Sequence, residues 1–174
     1  MLGGDSAAFL AQLRAALQLR NETSALNTML NRLTSLQTQL QNIQQAMRNA
    51  ESQAPGSPVA TQARALGRKL RELKDSLYNS EVQRGGQDDI HYLSRFQDRL
   101  QRLGFGGGFA YAQPPSDAVL EEWKVVRPQL DAYLARCNEI LKTDVAQFNQ
   151  VAQANGAPIL TGGAAITIQP VVLP

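Results

Sequence analysis

The sequence has little of what catalytic and metal-binding proteins use most. Its 174 residues include one cysteine, Cys137, and one histidine, His91. A single cysteine excludes a disulfide within the chain, and a metal site needs several converging ligands that these two side chains do not supply. Cys137 falls on an apolar helical stripe, where a buried thiol acts as a small hydrophobic residue. We predict no catalytic residue, no cofactor and no metal site.

Neither sign of charge dominates the chain. Seventeen basic and fifteen acidic residues leave a formal net charge of +2, and the two signs are interspersed. A nucleic-acid-binding face needs a continuous basic surface that follows a phosphate backbone. The composition therefore predicts no nucleic acid partner, and the low aromatic content of 6% favours long helices over a β-sandwich or barrel.

Long apolar runs are also missing. No window reaches the roughly 20 apolar residues that a transmembrane helix needs. The first ten residues, MLGGDSAAFL, lack the basic start and apolar stretch of a signal peptide. We predict no transmembrane segment, and we expect the signal of an exported protein to lie outside this chain.

What the sequence does contain is helical periodicity, strongest between residues 5 and 50. A seven-residue repeat of this kind is typical of a helix that packs along its length against other helices. Four apolar residues near the N-terminus are expected to extend the stripe, giving a helix on the order of 65 Å long. The repeat comprises Leu19, Leu26, Leu33, Leu40 and Met47, with Met29, Leu36 and Ile43 between them, and the extension comprises Phe9, Leu10, Leu13 and Leu17.

Three further helices follow, separated by breaks rich in glycine and proline. The second runs from Val59 to Leu77, and Gly85-Gly86 interrupts the pattern after it. Asp88 or Asp89 is the predicted cap of the third, which Gly104 closes. The last begins behind Ser116 and ends at Gly156. Pro128 lies inside it and is expected to bend it.

These elements predict an all-α fold: an elongated antiparallel helical bundle with an extended, non-helical C-terminal tail. Three arms of similar length result if the second and third helices form one interrupted middle arm. A four-helix bundle, in which those two helices fold back on each other, is the alternative. We expect a bundle domain over residues 1–156 and a tail over 157–174, where Pro170 restricts any strand to an edge.

Several segments of the chain together resemble a known helical region. They are ALQLRNETSALNTMLNRL, LGRKLRELKDSLYNSEVQRGGQDDIHYLSRFQDRLQRL, and the last helix with its D-x-x-x-F-N and G-x-P-I motifs. Over roughly residues 8–160 the chain is similar to the C-terminal region of bacterial exported proteins with BNR/sortilin-like (VPS10-type) β-propeller blades, which are often classed with the glycosyl hydrolases. The resemblance implies a periplasmic or secreted location. It transfers no catalytic residue, because activity would belong to the absent blades.

Charge-free stretches are the candidate partner surfaces, because interface cores are depleted in charge and enriched in aromatic residues. The outer face of the first helix between residues 32 and 48, the loop over 103–116 and the chain after Asp144 all lack charge. The alternative is that the loop aromatics cap the bundle itself and that the first-helix face reflects composition. The candidate contact residues are Phe105, Phe109, Tyr111, Ile166, Ile168, Val171 and Val172.

The resulting hypothesis is a non-catalytic structural or protein-interaction module, an accessory or scaffold subunit that docks onto a larger extracytoplasmic or membrane-associated assembly. One alternative is a supporting domain of a propeller-type glycoside-hydrolase-like protein. Another is a coiled-coil adaptor for an anionic surface, based on the basic run from Arg64 to Lys74. The tail is expected to strengthen docking while contributing little to stability, and the oligomeric state stays open.

Overall fold

The structure, a computed structural model, describes residues 3–49, 57–79, 95–105 and 115–172. These ranges are predominantly helical and contain no β-strand, so the predicted all-α class is confirmed. The helices are α1 (Gly3–Asn49), α2 (Pro58–Leu77), α3 (Phe96–Phe105), α4 (Asp117–Glu139) and α5 (Val145–Ala154), and a π-helical turn (Ile140–Asp144) joins α4 to α5.

Local capping explains where α2 and α5 begin or end. Ser57 precedes α2, and its Oγ accepts a hydrogen bond from the Ala60 N–H at 3.2 Å, while Pro58 occupies the first helical position. At the other end of the chain, Gly156 adopts a φ of 66°, the left-handed conformation that terminates a helix. Both boundaries agree with the sequence prediction.

Helix α3 begins later than predicted. The expected caps Asp88 and Asp89 lie outside the described residues, as does the Gly85-Gly86 break, and α3 begins at Phe96. The Asp98 carboxylate accepts a hydrogen bond from the Arg95 backbone N–H at 2.8 Å. Asp98 is the third residue of α3, and Arg95 is the residue before the helix. A hydrogen bond between these two positions is typical of a helix N-terminus and fixes the start of α3 at Phe96.

The chain forms two compact units. The first comprises Met1–Asn27, Ser76–Tyr133 and Thr167–Pro174, and the second comprises Thr28–Asp75 and Leu134–Ile166. Each unit takes one helical segment from α1, one from the middle of the chain (α3 in the first, α2 in the second) and one from the last helical stretch. Three helical segments therefore build each unit.

The heptad seam of α1 is buried as predicted, except at its last position, and so is the apolar face of α2. Met47 is only half-buried, because it lies near the end of the helix. The buried positions of these two helices are Leu19, Leu26, Met29, Leu33, Leu36, Leu40 and Ile43 in α1, and Val59, Ala63, Leu66, Leu70, Leu73 and Leu77 in α2.

The beginning of α1 differs from the prediction. Phe9 and Leu10 are 62% and 46% exposed, and Leu13 and Leu17 are only half-buried. At about 100° per residue, Leu10, Leu13 and Leu17 point away from the heptad seam, and Phe9 points to the side of it. They form a second apolar face of α1 and do not extend the seam, so we call them the N-terminal stripe.

The last helical stretch contains a wide turn that the sequence prediction missed. The Val145 N–H donates to the Ile140 carbonyl, five residues back, and the Thr143 hydroxyl donates to the Glu139 carbonyl at 2.7 Å. A π-turn inserts one extra residue into a helix and leaves a carbonyl in need of another donor. Ile140 and Val145 both remain buried across this five-residue step. Helix α4 itself continues through Pro128.

After Gly156 the described chain contains neither helix nor strand, which confirms a non-helical tail. In the described parts of the chain, none of the helices combines the length and apolarity required to cross a membrane.

Candidate functional site

Of the predicted partner contacts, those in the glycine-rich loop are not tested by the structure. Phe109 and Tyr111 lie outside the described residues, and Phe105 is described only as the last backbone position of α3. Their proposed role in partner contact stays a prediction.

The predicted contacts in the tail lie in different environments. Ile166 is 5% exposed and belongs to the interior of the second unit. Ile168 and Val171 are half-buried, whereas Val172 is 82% exposed. Of these four residues, only Val172 presents most of its side chain to solvent. Ile159 and most other described residues of the tail are also exposed, so the chain's own helices cover only part of the tail.

Side-chain amides hold the tail in the second unit. Asn149 donates from Nδ2 to the Leu160 carbonyl at 2.9 Å and accepts the Leu160 N–H at 2.7 Å. Asn138 makes the same two bonds with Ile166, both at 2.8 Å. Each amide satisfies one N–H and one C=O of an extended residue, as a neighbouring strand would. The backbone groups of Leu160 and Ile166 are therefore paired without a neighbouring strand.

Helix α1 also contacts this segment, and Gln39 Nε2 donates to the Thr161 carbonyl at 3.5 Å. Gln39 accepts the Thr161 N–H at 2.9 Å, and the Arg32 guanidinium donates to the Gly162 carbonyl. Gly163 has a φ of 72°, and the Arg32 side chain occupies the space that a Cβ at Gly163 would need. The left-handed conformation favours glycine at this position, and a Cβ would also require the flexible end of the Arg32 side chain to move.

These contacts predict that the tail stabilises the protein, contrary to our expectation from the sequence. Asn149→Ala removes both hydrogen bonds to the buried residue Leu160. The backbone N–H and C=O of Leu160 are then left without partners. We expect a loss of about 1–3 kcal/mol in the free energy of unfolding, measured by chemical denaturation. Faster hydrogen exchange of the Leu160 amide should accompany it.

Asn155→Ala is the matched control for that substitution. Asn155 is exposed, and its Nδ2 bonds only to the Val151 carbonyl of its own helix. A loss below about 0.5 kcal/mol is expected for it. Equal effects of the two substitutions would show that Asn149 does not hold the tail.

A buried charged cluster in the first unit was missed by the sequence analysis. Glu22 is fully buried, and its carboxylate accepts hydrogen bonds from Trp123 Nε1 at 2.8 Å, Arg127 Nη1 at 2.7 Å and Gln18 Nε2 at 3.0 Å. Three donors satisfy a charge that would otherwise be strongly unfavourable in the interior. The cluster links α1 to α4. Its hydrogen bonds give the buried carboxylate a structural role, so its burial needs no catalytic explanation.

The structure describes only one of the two residues considered for chemistry. His91 lies outside the described residues. Cys137 is fully buried, and its burial raises the pKa of the thiol to about 11, although the nearby Arg32 charge acts in the opposite direction. A nucleophilic cysteine needs a lowered pKa and access to solvent. Cys137 has the environment of a structural thiol. The described residues contain no group of three potential metal-ligating side chains.

Exposed apolar and basic side chains remain as the candidate functional surfaces. The N-terminal stripe on α1 is one. The second is on α2, where Arg64, Arg68 and Arg71 are exposed and follow each other at steps of four and three residues. None of these three arginines forms an ion pair within the described ranges. Spacing of this kind places side chains on one helical face, and we call this set the arginine stripe.

Comparison of the sequence with protein-family models and curated proteins, and of the fold with solved structures, found no match. The resemblance to the C-terminal region of BNR/sortilin-like propeller proteins therefore stays a prediction from its motifs. Two residues of those motifs have a physical role in this structure. Asn149 of D-x-x-x-F-N holds Leu160, and Gly156 of G-x-P-I supplies the left-handed turn between α5 and the tail.

Proposed function

We propose that this chain is a non-catalytic protein-interaction module, an accessory or scaffold subunit that binds a helix of another protein. The observation that carries the proposal is the N-terminal stripe. Phe9 and Leu10 are exposed on a helix whose heptad seam is buried on another side. Exposed apolar side chains that cluster at helical spacing are typical of protein contact sites, whereas isolated ones are not.

The spacing of the stripe favours a helical partner. Its residues, Phe9, Leu10, Leu13 and Leu17, recur at three- and four-residue steps and span about 12 Å along the helix axis. An amphipathic helix presents its own apolar residues at the same steps, so that the two sets of side chains interdigitate.

Charge favours a different protein over a second copy of this chain. Arg14 and Arg20 flank the stripe, and the segment from Ser6 to Arg20 contains no acidic residue. Pairing two such stripes would bring like charges together, which is unfavourable at an interface. A partner helix with acidic residues beside its apolar face fits this surface.

Exchange of the exposed apolar side chains tests the proposal. Phe9→Gln with Leu10→Gln should preserve helicity, because leucine and glutamine have similar helix propensity and both sites are exposed. Tagged protein purified from its source cells should lose at least about 90% of a helical partner, corresponding to more than 1.4 kcal/mol of binding free energy. Quantitative mass spectrometry of the co-purified proteins measures the loss.

The matched control replaces two other exposed apolar residues, Val125 and Ile159, by glutamine. This double variant should retain the partner. A Val172→Gln variant examines the tail as the alternative contact. An unchanged set of co-purified proteins after substitution of Phe9 and Leu10 would contradict the proposed site.

The extracytoplasmic location is part of this proposal and rests only on the resemblance to exported propeller proteins. Subcellular fractionation of the source cells tests it. Recovery of the chain in the cytosol alone would contradict that location without affecting the proposed contact surface.

A further inference from the structure

The acidic residues of this chain are concentrated in the first unit, which leaves the second with a net positive charge. The second unit contains nine basic and five acidic residues, a net charge of +4, whereas the first contains eight basic and ten acidic residues, a net charge of −2. The overall charge of +2 conceals this asymmetry. An anionic partner is therefore attracted to the second unit more than to the first.

Two acidic residues of the second unit are paired with basic residues outside the arginine stripe. Asp144 Oδ1 lies 2.6 Å from Lys69 Nζ, and Glu72 Oε2 lies 3.8 Å from Arg136 Nη2. Asp75 follows Arg71 by one helical turn and forms no ion pair with it. Within the described ranges the three arginines form no direct ion pair, and the nearest acidic residues of α2, Glu72 and Asp75, lie one turn beyond Arg68 and Arg71.

The arginine stripe has a defined geometry. Arg64, Arg68 and Arg71 lie roughly opposite to the buried face of α2 and span about 10 Å along its axis. A shallow depression of about 330 Å³ lies between the first two arginines and is also lined by Thr61 and Ala65. Small neighbours leave room for a carboxylate to approach a guanidinium from the side, where two parallel hydrogen bonds form.

We propose that the arginine stripe docks an acidic helix of a protein partner, with carboxylates at three- and four-residue spacing facing Arg64, Arg68 and Arg71. This rests on the proposed role in protein contact but uses a different surface from the N-terminal stripe. An acidic helix matches the stripe because its carboxylates repeat at the same axial steps as the three guanidinium groups.

Two observations favour a protein helix over an anionic membrane. Lipid-binding basic clusters usually contain four to eight basic residues. The run from Arg64 to Lys74 contains five, but Lys69 and Lys74 bond to Asp144 and Gln37, which leaves only the three arginines for a lipid surface. Helices that lie on a membrane also insert large apolar side chains, and the described residues of α2 include no exposed side chain of that kind. The stripe offers charge and hydrogen-bond donors without an anchor for a bilayer.

A designed peptide tests the proposal with the full chain. The probe is a labelled alanine-based helical peptide with glutamates at three- and four-residue spacing along one face, and its control carries glutamine at the same positions. Fluorescence anisotropy at low salt should show binding of the glutamate peptide only. Replacing Arg64, Arg68 and Arg71 together by glutamine should weaken binding by at least about tenfold.

The matched control removes the same charge elsewhere. Arg48, Arg102 and Lys142 are exposed, and we expect their joint replacement by glutamine to change the affinity by less than about threefold. Circular dichroism checks that both variants fold. An equal loss in both variants would overturn the proposal, since only net charge would matter. Binding to phosphatidylserine vesicles without binding to the glutamate peptide would overturn it in favour of a membrane.

The experiment separates this inference from the proposed function. If the glutamate peptide fails to bind while substitution of Phe9 and Leu10 still removes the cellular partner, the arginine stripe is not a docking site and the protein-interaction role stands.

Discussion

Replacing Arg127 by alanine should lower the free energy of unfolding by about 3 kcal/mol, because it leaves the buried Glu22 carboxylate without its counter-charge. Glu22 is inaccessible to solvent, and Arg127 Nη1 lies 2.7 Å from its Oε1. Arg127 itself is 37% exposed, so its own charge remains partly hydrated and the effect comes from Glu22. The loss is large because the carboxylate cannot reach water.

Trp123 offers a direct measurement of this effect. It is the only tryptophan of the chain, and its indole N–H donates to Glu22 Oε2 at 2.8 Å. Urea denaturation followed by tryptophan fluorescence therefore reports on the unit that contains the cluster. A shift of the Arg127→Ala transition to lower urea is the expected result, with the native emission maximum moving as the hydrogen bond rearranges.

A double variant separates the pair from general loss of packing. Glu22→Leu with Arg127→Met replaces both charges by apolar side chains, a change that is often neutral or stabilising for buried ion pairs. We expect the double variant to be more stable than Arg127→Ala alone. If Arg127→Ala loses less than about 0.5 kcal/mol, or if the double variant is as unstable as the single one, Glu22 does not depend on Arg127.

The helical core was predictable because its signal is repeated many times. Leu26, Leu33 and Leu40 recur every seven residues, and a single burial direction explains all of them. The prediction was wrong where the apolar pattern covers only a few residues. The N-terminal stripe has only four residues, and without a count of angle per residue it looked like a continuation of the seam rather than a second face of the helix.

The burial of Glu22 was not predicted from the periodic pattern of apolar residues. Glu22 stands seven residues before Met29, which is a position of the buried seam, yet the sequence analysis counted it only among the interspersed charges. A charged residue in a seam position indicates a buried partner, and that signal was present in the sequence. The identity of the partners was not, because Trp123 and Arg127 lie about a hundred residues away and reach Glu22 only in the folded chain.

The tail contacts depend on the same long-range information. Asn138 and Asn149 look like ordinary polar residues of a helix, and nothing local indicates that their amides bond to Ile166 and Leu160. The tail was predicted to be extended from its lack of helical period, and this was correct. The hydrogen-bond partners of the tail backbone could not be predicted. A side-chain amide that takes the place of a neighbouring strand leaves no periodic pattern in the sequence.

Leu40→Ala is the prediction that tests the packing of α1 in the second unit. Leu40 is 3% exposed, and truncation of a buried leucine loses its transfer free energy and leaves a cavity that the surrounding side chains fill only partly. We expect a loss of about 2–5 kcal/mol in the free energy of unfolding, measured by urea denaturation followed by circular dichroism at 222 nm. Alanine has the higher helix propensity, so the loss cannot arise from the helix itself.

Leu30→Ala provides the comparison that isolates burial. Leu30 lies on the same helix and in the same unit, and it is only half-buried, so the two substitutions make the same chemical change in two environments. We expect Leu30→Ala to lose less than half as much stability as Leu40→Ala, since part of its side chain already contacts water and a smaller cavity results. Equal losses at the two positions, or a loss at Leu40 below about 0.5 kcal/mol, would show that the heptad seam is not the packed face of α1.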